Sequence, residues 1–103
     1  MLSVIIPCFN EEKLIEASIA EVLKAINNCK IKIYEIIFID DGSNDKSLAI
    51  VKKIQRKNKK IKIFINKKNF GIGYTFFKGI KHCKGKYLIQ IPSDNSHPAS
   101  EIS

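Results

Sequence analysis

With 103 residues, 45% hydrophobic and 27% charged, the chain has room for one domain around one modest core. Its three cysteines, Cys8, Cys29 and Cys83, are widely spaced with no C-x-x-C, which argues against a disulfide framework or a zinc site and for reduced, mostly buried thiols in a cytosolic protein. The formal net charge of +8 gathers in Lys52, Lys53, Arg56, Lys57, Lys59, Lys60, Lys62, Lys67 and Lys68, a run that reads as a solvated face in preference to a surface for nucleic acid or anionic lipid.

Met1 to Phe9 is apolar but has no basic flank and is too short to span a bilayer, so neither a leader nor a membrane helix is expected. Residues 2–7 read as a buried strand that Pro7 ends, because proline has no N–H to donate. Asn10 is a fitting N-cap, with Glu11 and Glu12 in the first turn. Ile15, Ile19, Val22, Leu23 and Ile26 then recur at helical spacing, which predicts a helix over 11–27.

Residues 33–39 form a second apolar run that stops abruptly on Asp40, Asp41, Gly42 and Ser43. A second helix is predicted over 45–57, with Leu48, Val51 and Ile54 inward, and a third strand over 61–65. After a loop, residues 71–83 carry Ile72, Phe76, Ile80 and Cys83 on one helical stripe, with Gly85 suited to the C-terminal cap. Residues 87–91 read as a fourth strand, and from Pro92 onward the chain reads as loop.

The order β-α-β-α-β-α-β with short connections implies right-handed crossovers and a Rossmann-like parallel sheet covered by helices on both faces. All strand carboxyl ends then share one edge, where such sheets bind ligands. Four segments converge there: Pro7 to Glu11, Asp40 to Ser43, Asn66 to Gly73, and Pro92 to Asn95. Carboxylates beside an exposed helix N-terminus suit a metal-bridged diphosphate, so a nucleotide with a hard cation is the natural occupant.

Each signal has a plainer structural reading. Asp40 and Asp41 could cap the second helix. Gly71-Ile72-Gly73 is not G-x-G-x-x-G and follows the third strand, so it makes a weak dinucleotide motif. Gly79 reads as a close-packing position, His82 as a surface residue, and Phe76 and Phe77 as core.

Four stretches, Ser3-Val4-Ile5-Ile6-Pro7-Cys8-Phe9-Asn10-Glu11-Glu12, Tyr34 to Ser43, Asn69-Phe70-Gly71-Ile72-Gly73 with Gly79-Ile80, and Gly85-Lys86-Tyr87, closely resemble glycosyltransferase family 2, of the GT-A fold. The resemblance covers essentially the whole chain. It implies a nucleoside-diphosphate-sugar donor site in which Pro7, Phe9 and Glu11 line the nucleotide and Asp41 hydrogen-bonds the base, with Asn10, Asp40 and Gly71 beside them. The D-x-D motif for Mg²⁺ or Mn²⁺ would fall at Pro92-Ser93-Asp94, where Pro92 replaces the first acid and Asp94 alone remains for the cation or ribose.

Asp94-Asn95-Ser96-His97-Pro98 resembles the D-x-x-H-P stretch of polyprenyl-phosphate sugar transferases. That implies a lipid-phosphate or glycan acceptor and peripheral contact with the inner face of a membrane. Family members continue well past this point, so residues 1–103 are expected to be one donor-binding subdomain cut short after the D-x-D region. Such a piece would be inactive alone, and its exposed fourth strand would favour self-association. Two rival readings are a non-catalytic nucleotide-binding module completed by a partner chain and a phospho-receiver-like regulatory domain. The second wants acids after the first and third strands, where this chain has Pro7-Cys8-Phe9-Asn10 and Asn66-Lys67-Lys68.

Overall fold

Strand β1 (Leu2–Cys8) runs through the middle of a parallel sheet whose order is β3-β2-β1-β4. The computed structural model describes residues 1–92. Its other strands are β2 (Tyr34–Asp41), β3 (Ile61–Asn66) and β4 (Lys86–Ile89), and its helices are α1 (Ile15–Asn28), α2 (Ser47–Lys57) and α3 (Ile72–His82). The expected α/β, Rossmann-like order is what the chain forms.

Alternation along β1 and β2 divides the core in two. Val4, Ile6, Cys8, Ile36 and Phe38 face one side, where Ile15, Ile19, Val22 and Ile26 of α1 and Val51 of α2 cover them. Ile5, Ile37 and Ile39 face the other side, with Phe64, Ile80 and Cys83 against them. Phe38 is fully buried, and truncating such a ring to Ala costs about 3–5 kcal/mol.

Helix α3 sits unusually close to the sheet. Its buried residues are Thr75 and Gly79, and a Cβ on Gly79 would lie 2.6 Å from Ile5 Cγ2. The close-packing reading of Gly79 therefore holds. The expected inner stripe does not hold throughout: Ile72 is 56% exposed and Phe76 is only half-buried, and Phe77, expected in the core, is 65% exposed. Small residues make the contact, and the large apolar ones are pushed to the flanks and the outside.

Several predicted boundaries shift for reasons of pairing. Pro7 does not end β1, since it still pairs with Ile39 and Cys8 pairs with Asp40. Leu2 donates its N–H towards β2, to Ile33, while Ile5 accepts from Gln90 on the β4 side. Odd-numbered residues of β1 thus turn their backbone groups towards β4, and the donor that Pro7 lacks belongs there. Proline ends only the β1–β4 ladder, whose last pair is Ile5 with Ile89.

Strand β2 extends through both carboxylates, because Asp40 and Asp41 still pair with Ile65 and Asn66 of β3. Helix α1 begins at Ile15, not at 11, after a turn in which the Glu11 carbonyl accepts from Leu14 and Ile15. Asn10 is not its N-cap. Gly85 is not a left-handed cap of α3 either. Lys86 donates its N–H to the Met1 carbonyl at 3.1 Å, and a Cβ on Gly85 would collide with that oxygen. Among the thiols, Cys8 is buried, Cys83 half-buried and Cys29 exposed.

Candidate functional site

The loop after β1 and the loop after β2 are stapled to each other. Asn10 adopts a left-handed conformation (φ 50°), and its N–H donates to Ser43 Oγ at 2.9 Å. Its own Oδ1 accepts from the Asn44 N–H at 2.8 Å. The next two amides follow suit: Glu11 N–H donates to Ser47 Oγ at 2.8 Å and Glu12 N–H to Asp45 Oδ2 at 3.1 Å. These cross-loop bonds satisfy the amides ahead of α1, a task the sequence assigned to an N-cap.

Gly42 brings a third loop into register. Its φ is +78°, and a Cβ there would lie 2.6 Å from the Lys68 carbonyl carbon and 2.7 Å from the Asn69 nitrogen. A residue without a side chain is the one that fits both demands. The turn after β2 therefore lies directly on the backbone leading into α3.

Asp41 ties that backbone down. Its carboxylate accepts from the Phe70 N–H, the Gly71 N–H and Asn66 Nδ2, each at 2.9 Å. Burial pushes this carboxyl up, but the hydrogen bonds from Phe70, Asn66, Gly71 and Thr75 outweigh it and hold it below the usual carboxylate range. Asn66 Oδ1 in turn accepts from Lys78 Nζ at 2.6 Å. The capping alternative does not hold: α2 starts without a side-chain cap, and Asp41 organises the approach to α3 instead. Gly71 (φ 95°) precedes the helix without a side-chain cap, and the first N–H groups of α3 have no partner within the helix.

A cleft of about 310 Å³ opens at this edge. Pro7, Cys8, Phe9 and Glu11 line it from β1, and Asp41 from β2. Asn69, Gly71, Ile72 and Thr75 line it from the β3–α3 connection, and Ile91 and Pro92 from beyond β4. All four segments expected at the strand ends therefore contribute. Phe9 keeps 41% of its surface exposed, while Pro92 is buried. The end of the β1–β4 ladder at Pro7 is what leaves the gap between those two strands open.

Of the residues expected to hold a nucleotide, Pro7, Phe9, Glu11, Asp41 and Gly71 line the cleft. Asn10 and Asp40 stand behind it. Asn10 is spent on the loop staple, and Asp40 is buried on the α1/α2 side of the sheet, where its Oδ2 accepts from the Ser43 N–H at 3.0 Å. Its Oδ1 is buried without a hydrogen-bond partner among the described residues. Asp94 lies outside the described residues. Sequence reasoning passed over Thr75 and Cys8, because neither a lone Thr in a helix nor a buried Cys carries a motif.

Two titrations bear on chemistry. Burial, with Asp45 nearby, raises the Glu11 carboxyl above its ordinary value. Burial pushes the Cys8 thiol up to about 12, so it is a packing residue and not a nucleophile at neutral pH. Among the described residues no three His, Cys, Asp or Glu side chains gather as a cation site. Asp41 is already committed to loop amides, so among the described residues Glu11 is the one uncommitted carboxylate in the cleft, and by itself it does not make a site for Mg²⁺ or Mn²⁺. A larger groove of about 520 Å³ lies between α1 and β4, lined chiefly by Leu2, Val4, Val22, Ile26, Ile31 and Leu88. It includes none of Pro7, Phe9, Glu11, Asp41 and Gly71 and is not the candidate site.

The comparisons agree with this geometry. The family described as "Glycosyl transferase family 2" matches residues 3–103. An uncharacterized glycosyltransferase of Synechocystis is 37% identical over 101 residues, covering 98% of this chain and 31% of that protein. The undecaprenyl-phosphate 4-deoxy-4-formamido-L-arabinose transferase of Edwardsiella ictaluri is 30% identical over 102 residues, with the same coverage. The chain thus spans about a third of the length of these curated relatives. Among solved structures, a Pyrobaculum calidifontis mannosyltransferase in complex with GDP-Man and Mn²⁺ superposes with a TM-score of 0.75 at 19% identity, covering 87% of this chain and 26% of that one. Staphylococcus aureus TarS in complex with UDP-GlcNAc gives 0.71 at 28% identity, with the same coverage. The strand-end cleft is therefore that of a chain that belongs to glycosyltransferase family 2.

Proposed function

We propose that residues 1–103 are the donor-binding subdomain of an enzyme that transfers a sugar from a nucleoside diphosphate to an acceptor. The observation that carries this reading is the cleft itself, in which Pro7, Phe9, Glu11, Asp41 and Gly71 meet at the carboxyl edge of the sheet. Phe9 presents an exposed ring on which a base can stack. Asp41 brings its carboxylate to the edge of the cleft, where a nucleotide base would lie. The N-terminus of α3 faces the cleft and suits a diphosphate. TarS, 28% identical, supports a nucleotide-sugar donor.

Asp94 belongs to this reading as the ligand of a divalent cation or the ribose. The cation, when bound, would offset charge on the departing diphosphate. The acceptor is a polyprenyl phosphate or a glycan, and the Edwardsiella relative, named for an undecaprenyl-phosphate substrate, supports the former. On this reading the transfer takes place at the cytoplasmic face of a membrane.

The test is calorimetric titration of the chain with UDP and GDP, with and without Mg²⁺ or Mn²⁺. Heat of binding that Asp41→Asn weakens supports the reading. Silence under every condition overturns donor binding by this chain.

A further inference from the structure

We propose that the outer face of α3 is a docking face for an anionic membrane surface. Thr75 and Gly79 turn towards the sheet, so the positions opposite them point straight away from it. Tyr74, Phe77 and Lys81 occupy that outer line of the helix, and Phe70 precedes it, beside Tyr74. The rings of Phe70, Tyr74 and Phe77 are 44%, 52% and 65% exposed. Phe70 and Tyr74 lie with ring centroids 4.7 Å apart, and Lys68 Nζ stands 5.4 Å from the Phe70 centroid. A contiguous row of exposed aromatic rings on a folded chain marks a contact surface.

Charge identifies the occupant. From Lys46 to Ser93 the sequence holds fourteen basic residues and no acidic one. Lys67, Lys68 and Lys81 flank the rings and are exposed. Aromatic side chains beside lysines are what the headgroup boundary of an anionic bilayer takes up, the rings into the acyl boundary and the ammonium groups against the lipid phosphates. A second copy of the chain would set lysine against lysine. A further strand joining the sheet would pair in its plane, along β4, and would not reach the far side of α3. Single-stranded nucleic acid is bound in charged grooves, whereas this face is a convex ridge suited to a plane. The inference stands apart from the donor reading, since none of these side chains lines the cleft.

The experiment is flotation of the full chain with vesicles of phosphatidylcholine alone and of phosphatidylcholine with phosphatidylglycerol. Binding is expected only to the anionic vesicles and should fall with added salt. Lys67→Gln/Lys68→Gln should weaken it roughly thirtyfold, from about a factor of five for each lysine. Tyr74→Ser/Phe77→Ser should weaken it with the lysines intact, and Leu88→Ser, on the β4 edge, should leave it unchanged. Circular dichroism verifies that these surface variants remain folded. Failure to float with anionic vesicles overturns the proposal. So does flotation indifferent to both double substitutions, or preference for a single-stranded oligonucleotide over the vesicles.

Discussion

Asp40 and Asp41 are neighbours in sequence and point to opposite faces of the sheet. Asp40 accepts from the Ser43 N–H on the side of α1 and α2, while Asp41 accepts from the Phe70 and Gly71 N–H groups on the side of α3. Both belong to β2, so the two-residue period separates them. One carboxylate shapes its own turn. The other fixes a loop thirty residues away and borders the cleft.

Asp41→Asn tests that division. The amide turns one acceptor into a donor facing backbone N–H groups, so at least one buried partner is left unpaired. A stability loss of about 1–3 kcal/mol is expected by urea denaturation, with weaker UDP or GDP binding measured well below the melting transition. Unchanged stability would mean that the Phe70–Gly71 loop does not depend on this carboxylate.

Gly42→Ala should be costlier than an ordinary turn substitution. The left-handed conformation adds about 1–2 kcal/mol, and the new methyl would press on the backbone of Lys68 and Asn69. Thermal melting should show a clear fall, and the cleft should lose nucleotide affinity as the loop is displaced. Gly73→Ala, where a Cβ meets nothing within 4 Å, is the matched control.

Glu35 predicts how the fold responds to acid. It is buried on the α3 face, bonded to Ser3 Oγ at 2.7 Å, Lys62 Nζ at 2.8 Å and the Lys84 N–H at 2.9 Å. Burial pushes its carboxyl up, but those bonds outweigh it and bring it down to about 2. A depressed carboxylate stabilises the fold above its unfolded value of about 4.3 and loses that contribution as pH falls towards its folded value. Glu35→Gln should therefore be less stable at pH 7, and its stability should fall less between about pH 4.3 and pH 2. Parallel pH–stability curves for the two proteins would refute this.

Pro92 and Asp94 offer a paired test of cation use. Pro92 lines the cleft at the position the resemblance gives to the first acid of the D-x-D motif, so Pro92→Asp should strengthen Mn²⁺ binding measured by calorimetry. Asp94→Ala should abolish whatever metal dependence nucleotide binding has. Indifference to both changes would remove the cation from the proposal.

Much of this molecule was legible in one dimension. The Ile15, Ile19, Val22 and Ile26 spacing found the buried face of α1, and the β-α alternation found the parallel sheet and the edge where the segments meet. Boundaries were misread where polar residues belonged to partners far along the chain. Asp40 and Asp41 resemble a turn until they pair with Ile65 and Asn66. Asn10 resembles a helix cap until Ser43 and Asn44 engage it. The inner face of α3 was misread because closeness to the sheet selects Thr75 and Gly79, which carry little hydrophobic signal.

The periods of 2 and 3.6 residues are local properties of the backbone, so hydrophobic spacing by itself determined the order of strands and helices and the edge that carries the site. Direction is another matter. Which way a strand-end carboxylate points, which amide reaches it, and whether a large ring is covered depend on strand register and on how closely a crossover helix approaches the sheet. Those are distances between segments remote in sequence, and they decided that Asp41 borders the cleft, that Asp40 stands behind it, and that Phe77 faces outward.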